Sequence, residues 1–183
     1  MNVITDGSTI DLSARNSAGQ DAFRSAMRQL AGGVSIIAAG SGLHRAGIVV
    51  SSLTSFSVEP PTVLVAIANT SSIAPALKRY GHFSANILRA SQEPLAKRFS
   101  GQTGINGVER FEDGNWTTLV SGAPVLVDAL ASLDCEIEDN IERHTHSILI
   151  GRVAAVRVDE NGDALGHWRR AFFSIGHSGE FTP

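Results

Sequence analysis

The sequence holds one cysteine, Cys135, so no disulfide can form within the chain. A reducing, cytoplasmic setting is the expectation. There is no run of basic residues, and the net charge is −3, so composition gives no support for nucleic-acid or anionic-membrane binding. No apolar stretch is long enough to span a bilayer. The N-terminus lacks the basic-then-apolar pattern of an export signal. No G-x-G-x-x-G follows a strand, which disfavours a doubly wound dinucleotide-binding fold. There is no G-x-x-x-x-G-K-[ST] phosphate loop. Gly176-His177-Ser178-Gly179 falls short of a nucleophile elbow, and too little chain follows it for the helix that motif needs.

What is present is a chain of 183 residues, 43% apolar and 18% charged, enough for one domain with a sizeable core. Residues 1–18 read as a polar arm, 19–177 as the domain and 178–183 as a tail. Phe23, Met27 and Leu30 share one face of a helix beginning at Gln20 or Asp21 and ended by Gly32-Gly33. Val34–Ala39 and Ala46–Leu53 read as a hairpin around Gly40-Ser41-Gly42. Pro60-Pro61 precedes a strand at 62–68. Ser72 and Ser91 are expected to cap short helices ending at Tyr80 and Phe99, with a strand from His82 to Leu88 between them. Residues 100–122 read as a long loop pinned by Phe111 and Trp116. Ala129–Asp139 and Ser147–Val158 read as long strands. Asn161-Gly162 signals a hairpin into a last strand near Leu165–Ile175. Strands in hairpins, with few short helices, predict an antiparallel barrel.

Residues 47–72 carry the candidate site. Gly47–Thr54 is apolar and ends in small hydroxyl residues, and Thr62–Ala68 opens into Asn69-Thr70-Ser71-Ser72. Small hydroxyls and an amide offer hydrogen bonds while letting a flat ligand approach the backbone. The stretch reads as the wall and phosphate end of a cleft. The competing reading is a buried hairpin whose serines only cap and turn. His144-Thr145-His146 could place two imidazoles on one strand face for a metal, with Glu136, Glu138 or His167 as further ligands. Alternatively His144 lies in the turn and only His146 points inward. Cys135, in an alternating apolar and acidic segment, reads as a small core residue.

The ordered set Gly33-Val34-Ser35-Ile36-Ile37, Gly47 to Ser57, Pro60-Pro61, Asn69-Thr70-Ser71-Ser72, Phe83 to Leu88, Leu95 to Gly101, Gly122 to Leu126 and His146 to Gly151 resembles the flavin reductase family. The resemblance implies a mostly β fold, a six-stranded antiparallel split barrel of Greek-key order with peripheral short helices, usually a homodimer. It implies reduction of free FMN or FAD by NADH or NADPH, with reduced flavin passed to a partner monooxygenase. It places the flavin ring against Val49, Val50, Ser51, Ser52, Leu53 and Thr54. The phosphate end falls to Ala68, Asn69, Ser71 and Ser72, helped by Lys97, Arg98 and Phe99. His146, the catalytic candidate, and Phe173 fall on the nicotinamide side; no metal is implied. The sequence departs from the family pattern at Val49, His144, Thr145 and 167–171. Hydride transfer to flavin N5 needs positioning more than acid–base chemistry, which suits a site without a triad. His146 would orient the nicotinamide, or serve only as a structural residue bonded to a strand carbonyl. A flavin-storing or flavin-sensing barrel without turnover and a metal-dependent barrel enzyme are the alternative readings.

Overall fold

Alternating side chains explain how one sheet of this protein encloses a core. The computed structural model describes residues 17–176. The chain runs through α1 (Ser17–Met27), β1 (Gly32–Gly33), β2 (Ser35–Ala39), β3 (Ala46–Val50), β4 (Thr54–Val58) and β5 (Pro61–Ala68). It continues with α2 (Ala74–Tyr80), β6 (His82–Ile87), α3 (Glu93–Phe99), β7 (Trp116–Thr118), β8 (Pro124–Leu126) and β9 (Ala131–Arg143). The last strands are β10 (His146–Val158), β11 (Ala164–Trp168) and β12 (Ala171–Ile175).

The main sheet has seven strands in the order β3-β2-β6-β9-β10-β5-β4, and its pairings are antiparallel. β6 leaves its predecessor and pairs with β2, the non-sequential return that a Greek-key path contains. The two edge strands, β3 and β4, are consecutive in the chain and joined by 51–53 without a ladder between them. Ile48 and Val50 of β3 nevertheless meet Val63, Val65 and Ile67 of β5 in one cluster with Phe83 and Leu149. The sheet therefore wraps around a core and stays open along one seam, as a split barrel.

β2 is buried on both faces because its period of two serves two cores. Ile37 and Ala39 point into the barrel, while Ile36 and Ala38 join Leu95, Phe99, Phe111 and Leu126 outside it. In that outer core the rings of Phe99, Phe111 and Trp116 form a triangle with centroids 4.9–5.6 Å apart, so Phe111 and Trp116 do pin the 100–122 segment. A buried amide fastens β8 to the barrel. Asn86 donates to the carbonyl of Ile36 at 3.1 Å and to Ser84 Oγ at 2.9 Å. Its oxygen accepts from the Leu126 N–H and from Ser132 Oγ. All four hydrogen bonds of the amide are made, which a buried polar group requires.

Several expectations are corrected. The sheet has seven strands, not six, because the chain breaks at 51–53 and resumes as β4. The last strand is two, β11 and β12, paired with β1 in a separate three-stranded sheet. Their two-residue turn, Arg169-Arg170, has positive φ at both positions, a conformation usually signalled by Asn-Gly. Asn161-Gly162 does not join paired strands, since β10 and β11 lie in different sheets. Neither serine caps its helix: the capping positions are Ile73 and Gln92, and no side-chain cap bond forms. α1 ends at Met27, and Phe23, Met27 and Leu30 are exposed instead of packed. The proposed arm falls outside the described residues except for Ser17 and the residue after it, and the tail falls wholly outside them.

Candidate functional site

The end of β5, the turn after it and α2 build one side of a cleft of about 510 Å³. That size suits a small-molecule ligand. Asn69, Ser71, Ala74, Pro75 and Lys78 line it from this side. Asn140, Glu142, Ser147 and Leu149 of the β9–β10 hairpin line the other. The register explains why the two sides meet. Ala68 pairs with His146 and Ile67 with Ser147, so β5 delivers the turn directly beside the hairpin tip. The Asn69 N–H donates to the carbonyl of Thr145 at 3.0 Å, and Ser147 Oγ donates to Asn69 Oδ1 at 2.8 Å. These bonds fix the Asn69 amide. Ser71 Oγ is buried and has no hydrogen-bond partner among the described residues. A buried hydroxyl without a partner is costly, and a ligand atom would complete it.

The 49–54 segment lies along the open seam. Val49, Val50 and Ser51 line a second, smaller cleft of about 170 Å³ with Val34, Ser100, Gln102, His167 and Phe172. Ser52 Oγ donates to the carbonyl of Ala66 at 3.0 Å, which ties the seam to the strand feeding the larger cleft. Ala66 precedes Ala68 by two residues, roughly 7 Å along a strand. Leu53 packs on the barrel core, and Thr54 opens β4 with its side chain exposed. Ser72 is exposed just beyond the large cleft's lining. The structure thus brings Ala68, Asn69 and Ser71 together in one cleft and Val49, Val50 and Ser51 in the other.

It does not bring the Lys97–Phe99 segment to either cleft. Lys97 Nζ pairs with Glu93 at 2.6 Å, one helical turn back. Arg98 donates to the carbonyls of Glu109 and Arg110 and pairs with Asp113 at 2.7 Å and with Glu112 at 3.4 Å. It holds a loop. Phe99 has no exposed surface and belongs to the outer core, so its ring is closed to a ligand. Phe173 is displaced by strand alternation. A Cβ on Gly166 would lie 2.6 Å from the Phe173 ring, so that ring lies against β11, while its neighbour Phe172 lines the smaller cleft.

His146 is exposed at the start of β10, and its Nδ1 lies 2.8 Å from Thr145 Oγ1. Its hydrogen-bond partner is thus a hydroxyl, not the strand carbonyl of the structural reading. His144 sits in the turn with φ 54°, as the second histidine reading expected, but the exposed His146 does not point inward as that reading also required. Among the described residues no three His, Cys, Asp or Glu side chains converge as a metal site. Burial, with the Asp134 carboxylate beside it, pushes the Cys135 thiol up to about 12, which makes it unreactive near neutral pH.

Lys78, Asn140, Glu142, Ser147, His167 and Phe172 are cleft residues that the sequence reading did not place in either cleft. A signal existed for one of them. Ala74 and Lys78 of α2 are spaced i and i+4, neighbours on one face of a helix. No local pattern brings the 140–149 hairpin beside 67–78.

Residues 27–176 match the family model of the flavin reductase like domain. FMN reductase (NADH) RutF 2 of Rhizobium rhizogenes is 37% identical over 153 residues, which cover 84% of this chain and 87% of the relative. The 4-hydroxyphenylacetate 3-monooxygenase reductase component of Pseudomonas aeruginosa is 33% identical over 156 residues, covering 85% and 92%. The solved structure of flavin reductase PheA2 shares the fold with a TM-score of 0.76 at 27% identity, covering 85% of this chain and 97% of that one. Matched to that family model over residues 27–176, most of its length, this chain belongs to the family of proteins with a flavin reductase like domain.

Proposed function

We propose that this chain is an NAD(P)H:flavin oxidoreductase that uses FMN with NADH and passes reduced flavin to a separate monooxygenase. The observation that carries the reading is the family match over residues 27–176. Relatives named FMN reductase (NADH) and monooxygenase reductase component support the substrate pair and the type of partner. The residues present fit a flavin. The larger cleft offers a fixed amide, a buried hydroxyl without a partner among the described residues, and a lysine, a donor set suited to a phosphate end. The seam offers apolar side chains and small hydroxyls that let a flat ring approach the backbone.

Flavin, when bound, supplies the hydride-accepting chemistry at N5. The chain's own part is binding and alignment. Val49, Val50 and Leu53 give the ring an apolar wall. Ser51 would bring a hydroxyl, and the 51–54 segment backbone N–H groups, to its polar edge, while the Ser52 hydroxyl holds the seam to Ala66. Asn69, Ser71 and Ser72 hold the phosphate end. His146 orients the nicotinamide through the ring nitrogen that Thr145 leaves free, and Phe172 takes the packing place expected of Phe173. A second copy of the chain covers the exposed apolar residues of α1 in a homodimer, since such patches mark interaction surfaces.

Flavin-dependent oxidation of NADH tests the reading. Purified protein should oxidise NADH only when FMN or FAD is added, with FMN the better acceptor and NADPH the weaker donor. Flavin binding without NADH oxidation would replace this reading with a storage or sensing role. Ser52→Tyr should abolish flavin binding while the far-UV spectrum stays unchanged; normal binding by that variant would remove the seam from the site.

A further inference from the structure

Among the described residues, Lys78 is the one cation lining the larger cleft, and Glu142 is the one carboxylate. Lys78 makes no ion pair among the described residues, whereas Lys97 and Arg98 are engaged by Glu93, Glu112 and Asp113. Lys78 lines the cleft together with Ser71 of the turn before its helix, whose buried hydroxyl has no partner among the described residues. Glu142 stands on the facing hairpin, opposite Ser147 in the β9–β10 ladder, and Ser147 holds the Asn69 amide. A positive and a negative group thus face one ligand space lined by neutral hydrogen-bonding side chains.

We infer that Lys78 and Glu142 together set the cleft's choice of flavin: Lys78 attracts a terminal phosphate monoester, and Glu142 limits how tightly it is held. The inference rests on reading this cleft as the flavin site. A phosphate monoester carries close to two negative charges at neutral pH. A single lysine gives a charge-assisted hydrogen bond to it, and the carboxylate opposes that attraction. The balance selects FMN over riboflavin, which has no phosphate, while keeping affinity moderate. Moderate affinity suits a flavin that must leave after reduction.

The test is fluorescence-quenching titration of FMN and of riboflavin, with no nicotinamide present. Lys78→Ala should weaken FMN binding about tenfold, the scale of one charge-assisted hydrogen bond, and leave riboflavin binding within twofold. It should also flatten the salt dependence of FMN binding. Lys78→Arg should recover most of the loss. Glu142→Gln should tighten FMN binding several-fold without changing riboflavin binding. Equal effects on both flavins, or none, would overturn the inference.

Ser71→Tyr, which fills the cleft, separates the two failures. If it abolishes binding of both flavins while Lys78→Ala changes them equally, the charge pair is wrong and the cleft reading stands. If Ser71→Tyr leaves both bound, the cleft is not the flavin site and the charge pair falls with it. Lys78 is exposed, so a folding defect in its alanine variant is not expected. Lys78→Gln, read by the same titration, checks the result with a longer neutral side chain.

Discussion

Gly151 shows how little room the barrel leaves at a single position. A Cβ there would lie 2.5 Å from the Phe83 ring and 3.1 Å from Cys135 Cβ, in a ladder that already bulges between Ile150 and Gly151. Phe83 is fully buried and cannot swing away. Gly151→Ala should cost about 1–3 kcal/mol of stability through overpacking, read as a lower urea midpoint. Cys135, from the same core, makes a prediction about pH. Its thiol is raised from 9.0 to about 12, so the folded state keeps a proton that the unfolded state loses above pH 9. Below pH 9 both states are protonated and stability is at its full value. Between 9 and 12 the unfolded state binds fewer protons, and stability falls as pH rises. Denaturation midpoints taken across this window should decline, and a thiol reagent should modify the protein only under denaturing conditions.

At the scale of elements, α3 and the segment after it behave as one unit. Arg98 reaches two backbone carbonyls and two carboxylates of residues 109–113, and its guanidinium is mostly buried. Arg98→Ala strands those carbonyls and should cost about 1–3 kcal/mol. It should also speed proteolysis within 100–115, while Lys97→Ala should change neither stability nor flavin binding beyond twofold. Accelerated cleavage elsewhere, with 100–115 intact, would sink the pinning role. Which elements could be read in advance follows from their physics. β2, β5, β6, β9 and β10 carry dense apolar or alternating patterns and lie close to where those patterns place them. The Arg169-Arg170 turn was illegible because neither residue favours positive φ, and tertiary pairing imposes the conformation. The caps failed for a related reason: serine is a cap only if the chain enters the helix at its position, and Ile73 and Gln92 occupy that place.

For the whole molecule, α1 and the residues just after it leave Phe23, Met27 and Leu30 exposed at 56%, 47% and 68%. If a second copy covers them, sedimentation at micromolar concentration should give twice the chain mass, and Phe23→Glu should return the monomer. A monomer at every concentration would remove the dimer from the functional reading. The candidate site was half legible for reasons of the same scale. Asn69 and Ser71 stand in an ordered, recognisable motif, so they could be named from sequence. Arg98 could not be assigned to its loop, because its partners lie more than ten residues away across a segment with no period. Glu142 and Ser147 were hidden by distance along the chain, since only the β5–β10 register brings them beside Asn69.

That register has an engineering meaning. The larger cleft is assembled from two short stretches, 67–78 and 140–149, each anchored by its own buried residues, Leu77 in one and Leu149 in the other. Its lining can therefore be exchanged as a two-piece cassette between related barrels, with β2, β6 and the Asn86 hub left untouched. Ligand preference in this architecture is portable, and a chimaera carrying another protein's two stretches should inherit the donor's preference on this protein's framework.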